Sequence, residues 1–487
     1  MKNITKLLCG VMIMACCSNA SAGLWSSIKN GVSGAVNTVV DTVEDAIDIV
    51  GDAAEKTLSE MQKLANNADQ IALQLGVEVF SGGGNNFAWK LAEPQGAKCS
   101  DGSQYRFWYL DRPQSNNLVI LYEGGGACWD YDTCSGNAGK LGAVNPEGIP
   151  RNYIRTLKAK NVSPIINGKD PALAGIKGEE KLPTSTWDLA YMPYCTGDTH
   201  IGARQAVYDG PKGERLEYNH SGFYNSVRSL KRLNREFPEI DKLLITGFSA
   251  GGVASTVIYD KARTLLNVKK GYMLNDSGPV FTAPSDAHKS RLMHDTIRTA
   301  WNLESVLNQM PVGFDPTDLG SLVGVVAKKY PNDRFAYTGF SKDDNFSRFS
   351  YERFYPEYNK DQMNAAWRQD QENLVQEMKR HANYSYMIPW ERQINQSHCS
   401  TILTFLGSSV CPSVRLKPKS EVEEFIGTRL SPQSWGCPGG DRIRMTQFLR
   451  RWINNDIRIT AKEPFNLYNK NDVKMQIVAP IINAALN

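Results

Sequence analysis

A run of apolar residues at 243–245 leads into Gly247-Phe248-Ser249-Ala250-Gly251, and apolar residues at helical spacing follow at 253–258. A buried strand that turns sharply into a helix through Gly-x-Ser-x-Gly is the nucleophile-elbow pattern, which lifts a serine hydroxyl above the end of a sheet. The glycines are needed because this strained turn leaves no room for side chains beside the serine. The pattern therefore favours Ser249 as a nucleophile over a buried turn serine.

The elbow belongs to a longer alternation of strand-like and helical stretches. The strand-like runs lie at residues 117–122, 189–192, 242–246, 271–274 and 335–338. This alternation predicts an α/β fold, a mostly parallel sheet flanked by helices. Residues 285–330 and 350–395 are rich in aromatic and charged residues. They form either a helical cap over the site or ordinary surface helices.

A glycine run follows the first of these strands directly. Gly124-Gly125-Gly126 comes after the run at 117–122, and three glycines let the backbone approach a substrate with its N–H groups pointing inward. Acyl transfer needs such donors at the developing oxyanion. Many esterases carry a glycine-run loop of this kind, and they take a further N–H from the residue after the nucleophile, here Ala250.

A serine hydroxyl also needs a base, which in this type of fold is a histidine late in the chain, after the acid. The histidines that follow Ser249 are His288, His294, His381 and His398. The chain order favours His398. The acid is expected after the strand at 335–338, where Asp343 and Asp344 stand. Either carboxylate can hold the imidazole while the other caps the next helix, and Asp276 is a weaker candidate.

Six short motifs occur in an order that resembles the pectin acetylesterase family, with its plant and Notum-like carboxylesterase members. They begin at Cys99, Glu123, Pro193, Gly247, Asp276 and His398. The resemblance implies an α/β-hydrolase fold and a Ser-Asp-His triad with no metal or other cofactor. It assigns Ser249 as nucleophile, His398 as base and the N–H groups of Gly125, Gly126 and Ala250 as oxyanion donors.

The resemblance also concerns the surroundings of the site. It places Asp276 on the pocket floor and pairs Cys128 with Cys134 in a disulfide. The family usually has an aromatic residue before that first cysteine, whereas this chain has Ala127 there and Trp129 after it. We therefore expect Trp129 to shape the acyl pocket.

The N-terminus predicts export. Lys2 and Lys6, a short apolar region and the Ala20-Ser21-Ala22 cleavage site form a signal peptide over 1–22. This indicates an exported protein of bacterial type, periplasmic or extracellular, and lipid attachment at Cys16 is the less favoured alternative. Residues 23–80 are predicted as an amphipathic helical arm, 81–90 as a linker and 91–487 as the catalytic domain.

The arm has a hydrophobic period of eleven residues within 24–79 and an acidic polar face. It is expected to pack on its own domain or another helix, or to contact a neutral lipid surface or a protein partner. The net charge of +4 gives no argument for a nucleic-acid partner.

Seven cysteines remain after the signal peptide: Cys99, Cys128, Cys134, Cys195, Cys399, Cys411 and Cys437. In an exported chain these are expected to be mostly disulfides, with at least one thiol left over. Cys128 and Cys134 are close enough in sequence to close a small loop. The cysteines have no C-x-x-C spacing, so a metal site is not expected.

Together these features predict a secreted serine carboxylesterase that forms an acyl-enzyme. The resemblance favours short acyl groups, such as acetyl on a polysaccharide. One alternative is a lipid or lysophospholipid esterase that uses residues 24–79 at a lipid surface. Another is a catalytically silent binding relative.

Overall fold

The computed structural model describes residues 89–112, 114–136, 143–155, 163–169, 181–392, 395–402, 405, 408–410 and 443–464. The predicted signal peptide and amphipathic arm, with Cys16, Cys411 and Cys437, lie outside the described residues. The first strand begins at Lys90, one residue inside the segment that we predicted as linker.

In the described part of the chain, nine strands form one sheet, and four more pair as two small separate sheets. The strands are β1 Lys90–Ala92, β2 Phe107–Leu110, β3 Asn117–Tyr122, β4 Asp188–Met192, β5 Arg204–Asp209, β6 Arg215–His220, β7 Ile240–Phe248, β8 Val268–Asp276, β9 Arg334–Thr338, β10 Tyr384–Ile388, β11 Ser409–Val410, β12 Ile443–Arg444 and β13 Thr460–Lys462. The sheet order is β1-β2-β4-β3-β7-β8-β9-β10-β13, and β5-β6 and β11-β12 are the small pairs.

Strand directions and order give the α/β-hydrolase arrangement. β2 runs antiparallel to both β1 and β4. All later neighbours in the large sheet are parallel. Parallel strands carry their loops at one edge, so the turns after β3, β7, β9 and β10 meet there. The predicted mostly parallel α/β fold is confirmed.

The helices flank this sheet. They are α1 Tyr131–Cys134, α2 Pro164–Asn167, α3 Gly222–Glu236, α4 Ala250–Leu265, α5 Arg291–Ala300, α6 Glu304–Leu307, α7 Ser321–Lys329, α8 Phe346–Tyr351, α9 Lys360–Lys379 and α10 Met445–Asn455. Among the described residues, no helix is both long and apolar enough to span a membrane.

Neighbouring residues of β8 show that helices cover both faces of the sheet. The Met273 sulfur accepts hydrogen bonds from Ser255 and Thr256 of α4. The Tyr272 ring meets Trp452 of α10 at a centroid distance of 5.4 Å. Successive side chains of a strand point to opposite faces, so α4 and α10 lie on opposite sides. The central strands read as near-continuous apolar runs because they are buried on both faces.

The two segments that we considered as a cap, 285–330 and 350–395, take different positions in the fold. Residues of α5, α6 and α7, all within 285–330, line an apolar cavity beside α4, so this segment covers the site. Residues 350–395 instead contain the whole of the long helix α9 and the strand β10 of the main sheet. Of the two alternatives for residues 350–395, the cap is therefore wrong. The missed signal is Tyr384–Ile388, a short fully buried strand.

Candidate active site

The turn between β7 and α4 has the geometry of a nucleophile elbow. Ser249 adopts φ 56° and ψ −121°, a conformation that is rare outside glycine and is kept only where the surroundings enforce it. Close packing of the elbow enforces this conformation. A Cβ at Gly251 would lie 2.0 Å from the carbonyl oxygen of Tyr122, at the end of β3. A Cβ at Gly247 would lie 2.2 Å from the Gly251 carbonyl oxygen. Both glycines are required, and the serine is left half-buried at the start of α4.

The structure brings together His398 and one of the two candidate acids. His398 Nδ1 donates a hydrogen bond to Asp343 Oδ2 at 2.9 Å, and both side chains are buried. Burial alone lowers the pKa of His398, but the charge of Asp343, its hydrogen bond and the charge of Asp276 outweigh burial and raise this pKa overall. The pair thus keeps the imidazole basic and leaves Nε2 available for a second partner.

Asp343 also performs the capping role that we had expected of the other carboxylate. Its Oδ1 accepts the backbone N–H groups of Asn345 and Phe346, at the start of α8. Asp344 instead pairs with Lys360 at 2.8 Å and accepts a hydrogen bond from Asn364. The expectation that one aspartate holds the histidine and the other caps the helix is wrong, because one carboxylate has two oxygens and serves both.

The loop that carries His398 lies against the elbow. The Cys399 N–H donates to Ser277 Oγ at 3.1 Å, and the Ser249 N–H donates to the Asp276 carbonyl oxygen at 2.8 Å. Ser249 and His398 are both described, and no hydrogen bond joins the Ser249 hydroxyl to the imidazole. In ligand-free enzymes this bond is often long and tightens only when substrate binds.

Three backbone donors beside Ser249 lack a hydrogen-bond partner among the described residues. Within the described part of the chain, the N–H groups of Gly125, Gly126 and Ala250 donate no hydrogen bond. Gly125 and Gly126 have φ of 153° and 72°, which glycine adopts readily. The Val144 N–H holds this turn by donating to the Gly125 carbonyl oxygen. Unpaired N–H groups are costly to bury, and here they suit a developing oxyanion.

A buried carboxylate to which the sequence analysis assigned no role supports the glycine turn. Glu123 accepts hydrogen bonds from the Tyr153 hydroxyl and the Tyr194 N–H. Its carbonyl oxygen accepts from His200 Nε2 at 2.8 Å. Burial lowers the pKa of His200 to about 4, so this imidazole is neutral at pH 7. The only sequence signal was the position of Glu123 directly before the glycines.

Asp276 lies behind the site and not on the pocket floor, so that prediction is wrong. It is fully buried at the end of β8, where its Oδ1 accepts hydrogen bonds from Ser400 and its Oδ2 accepts hydrogen bonds from Thr401. Burial raises its pKa, and the hydrogen bonds from these two residues oppose the rise. Its position identifies an anchor for the loop that carries His398.

The predicted pair Cys128–Cys134 forms a disulfide, and Cys99–Cys195 forms another. Cys399 is a free buried thiol. Burial raises the pKa of this thiol, and the nearby Ser249 N–H opposes the rise. The thiol therefore stays protonated and unreactive at neutral pH.

One group of three potential metal ligands lies together among the described residues: Cys128, Cys134 and His220. The two sulfurs are joined in the disulfide. The His220 nitrogens contact the Thr196 carbonyl oxygen and the Tyr208 hydroxyl. All three groups are thus engaged in the fold.

An apolar cavity begins beside the elbow. Its empty volume is about 660 Å³, including the open solvent that it adjoins. Val253, whose N–H donates to the Ser249 carbonyl oxygen, lies on its wall. So does Phe346, whose ring centroid is 6.1 Å from that of His398. The remaining lining residues are Thr199, Ile201, Val257, Pro279, Val280, Met293, His294, Ile297, Trp301, Leu303, Val306, Leu307, Met310, Phe314, Leu319, Leu322 and Phe349.

Trp129 does not line this cavity. Its ring packs against Phe349 at 5.2 Å and Phe354 at 5.7 Å between centroids. Phe349 is the residue that faces the cavity. Trp129 therefore supports the cavity wall from behind, which corrects its predicted position in the pocket.

A family model described as pectinacetylesterase matches residues 87–317. The match contains the glycine turn and the elbow and ends before Asp343 and His398. The match supports the ester hydrolase that the sequence predicted.

Among solved structures, the Wnt deacylase Notum from Drosophila is similar to this chain with a TM-score of 0.46 and 16% sequence identity. The alignment covers 77% of this chain and 96% of Notum. A comparison with curated protein sequences finds no match. The α/β-hydrolase assignment for this chain rests on its own strand order.

Proposed function

We propose that the chain hydrolyses carboxylic esters through Ser249, His398 and Asp343. The Ser249 hydroxyl attacks the ester carbonyl carbon while His398 Nε2 takes the hydroxyl proton. Asp343 holds the Nδ1–H side of the imidazole and stabilises its charged form. The carbonyl oxygen becomes an oxyanion that accepts from the N–H groups of Gly125, Gly126 and Ala250.

The second half of the reaction reverses these roles. The alcohol leaves with the proton that His398 returns to it, and the acyl group stays on Ser249. Water then attacks the acyl-enzyme with His398 again as base, and the acid is released. The observation that carries this proposal is the hydrogen bond between His398 and Asp343 beside a strained serine and three unpartnered N–H groups.

The apolar cavity supports a medium- or long-chain acyl group. An acetyl group presents one methyl, whereas nearly all of the lining side chains here are apolar and extend over α4, α5, α6 and α7. Burial of each further methylene contributes about 0.8 kcal/mol, so a longer chain gains affinity from such a wall. This favours the lipid-type ester that the sequence analysis held as the alternative.

The family description favours a second candidate, a deacetylase acting on a polysaccharide. The two candidates differ in the dependence of kcat/KM on acyl length. We also propose export, supported by two disulfides. A contact through residues 24–79 stays a prediction.

The test is an acyl-length series of p-nitrophenyl esters, from acetate to palmitate, with the full-length protein. We expect kcat/KM to rise with chain length up to medium or long chains. Ser249→Ala is expected to lower kcat by about 10⁴- to 10⁶-fold and to abolish labelling by a fluorophosphonate probe. Labelling of the parent at another residue, or none, would contradict the serine mechanism. A preference for acetate would support the deacetylase.

A matched pair of variants tests the cavity itself. Val253→Phe fills the wall beside Ser249 and is expected to lower kcat/KM for long chains about tenfold or more, with acetate changed less than about threefold. Val207→Phe makes the same change on the hairpin β5-β6, where the side chain is 40% exposed. It is expected to leave both substrates unaffected. Equal losses for acetate and long chains in Val253→Phe would count against the acyl pocket.

A further inference from the structure

Two polar side chains stand in the otherwise apolar wall of the cavity: Thr199 and His294. The wall also holds Trp301, but its Nε1 donates to the Cys128 carbonyl oxygen at 2.8 Å and is satisfied. A cavity that only needs to accept hydrocarbon gains nothing from an imidazole and a hydroxyl, which are costly to bury unpaired.

His294 projects from α5 and is 4% exposed. Its ring nitrogens form no hydrogen bond with any residue in the described part of the chain, although its backbone N–H is bound to the Ser290 carbonyl oxygen. Burial lowers its pKa to about 4, with a smaller opposing effect of Asp295. At neutral pH the ring is uncharged and offers one N–H donor and one bare nitrogen acceptor.

Thr199 is 6% exposed, and its buried hydroxyl has no hydrogen-bond partner among the residues that the structure describes. Its backbone has φ 51°, unusual for a β-branched residue, and its N–H donates to the Tyr194 hydroxyl at 2.7 Å. Tyr194 in turn donates its own N–H to Glu123, directly before the glycine turn. Thr199 is thus held in a strained conformation on the oxyanion side of the cavity, whereas His294 stands on the cap.

A ligand that satisfies either of these unpaired groups must place a polar atom of its own inside the apolar cavity. A charged substituent is excluded because the wall would strip its hydration without supplying a counter-charge. A hydroxyl fits, since it can accept from an N–H and donate to a nitrogen or oxygen at the same time.

Building on the ester hydrolase proposed above, we propose that the cavity recognises an acyl chain that carries a hydroxyl substituent, with His294 as the partner of that hydroxyl. Thr199 supplies a second polar contact nearer the reacting carbonyl. The substrate class is then an ester of a hydroxy fatty acid, and the two side chains are specificity determinants that take no part in bond cleavage.

The test compares methyl octanoate with a series of methyl hydroxyoctanoates in which the hydroxyl moves carbon by carbon along the chain. Acid release is followed at constant pH with the full-length protein. We expect at least one position to raise kcat/KM over the plain chain by about tenfold or more, because a site with buried polar groups rejects analogues that leave them unpaired.

His294→Phe is expected to remove that preference and to raise kcat/KM for the plain chain. His294→Gln keeps a donor and an acceptor and is expected to retain part of the preference, which guards against a folding defect in the phenylalanine variant. The matched control is Met293→Leu, the adjacent lining residue on α5, for which the hydroxyl preference is expected to persist.

Preference of the parent for the plain chain over every hydroxylated one would overturn the proposal, as would an unchanged ratio in His294→Phe. Turnover of acetyl esters without turnover of any octanoyl ester would contradict the long-chain pocket as well. Absence of hydrolysis of every ester would instead contradict the proposed function itself.

Discussion

Asp276 Oδ2 accepts hydrogen bonds from both the backbone N–H and the hydroxyl of Thr401, at 2.7 and 2.6 Å. Its Oδ1 accepts the Ser400 N–H at 2.7 Å, and its carbonyl oxygen accepts the Ser249 N–H at 2.8 Å. One fully buried residue therefore joins the elbow to the loop that carries His398. We therefore expect the separation of Ser249 and His398, the proposed nucleophile and base, to depend on a residue that touches neither of the proposed reacting atoms.

Asp276→Asn is expected to displace this loop. The amide NH₂ would face N–H donors that now meet a carboxylate oxygen, and a buried unmatched group costs about 1–3 kcal/mol. We expect kcat/KM to fall by about 10²-fold or more, together with Tm. The control is Asp333→Asn, another buried aspartate bound to a backbone N–H, at Gly271, away from the site. It should lower Tm while leaving the fluorophosphonate labelling rate of folded protein unchanged. Equal labelling rates in both variants would contradict the anchoring role.

The adjacent aspartates form a second matched pair. Asp343→Asn removes the charge that stabilises the protonated His398 and disfavours the working tautomer, so kcat is expected to fall by about 10²- to 10⁴-fold. Asp344→Asn alters only the contacts to Lys360 and Asn364 and is expected to change kcat by less than about threefold. Steady-state kinetics with the preferred ester measure both. A larger loss of kcat from Asp344→Asn than from Asp343→Asn would show that the acid has been assigned to the wrong aspartate.

The dependence of activity on pH follows from the raised pKa of His398. The general base must be neutral, and a raised pKa keeps the imidazole protonated to higher pH than the ordinary 6.5. We expect kcat/KM to decline on the acid side with an apparent pKa above that value, measured where the fold is stable. In Asp343→Asn the acid-side decline of the residual activity should shift to lower pH. Burial lowers the pKa of His398, and the charge of Asp343 no longer opposes this effect in the variant. An acid limb well below 6.5 in the parent would contradict the coupling of the two residues.

The two disulfides are expected to contribute differently. Cys99 and Cys195 are 96 positions apart and close a long loop, whereas Cys128 and Cys134 are 6 apart. Loop-closure entropy predicts a loss of about 4–5 kcal/mol in the free energy of unfolding for Cys99→Ala/Cys195→Ala, and about 2 kcal/mol for Cys128→Ala/Cys134→Ala.

Activity should show the reverse order. The Cys128 N–H donates to the Gly197 carbonyl oxygen at 2.8 Å, two residues after the glycine turn, so we expect removal of the short disulfide to loosen the proposed oxyanion donors. Urea unfolding and kcat measured in the folded range separate the two effects. A double variant at 128 and 134 with unchanged kcat would show that the turn is held without its disulfide.

Short-range sequence patterns determined much of the fold and of the candidate site. A buried strand, a turn of glycines and an amphipathic helix each report on residues that are neighbours in the chain. The elbow at Ser249, the glycine turn at 124–126 and the strand before Asp343 were therefore predictable. The order of serine, acid and histidine then singled out His398.

Tertiary structure alone decided which carboxylate oxygen accepts a hydrogen bond from which donor. Asp343 and Asp344 are equivalent in sequence, and only the direction of the backbone after β9 turns one toward His398 and the other toward Lys360. Asp276 and Glu123 act through partners more than 20 positions away, and no local pattern encodes such contacts. The apolar cavity arises in the same way, because its wall comes from helices and loops that meet only when the sheet has formed.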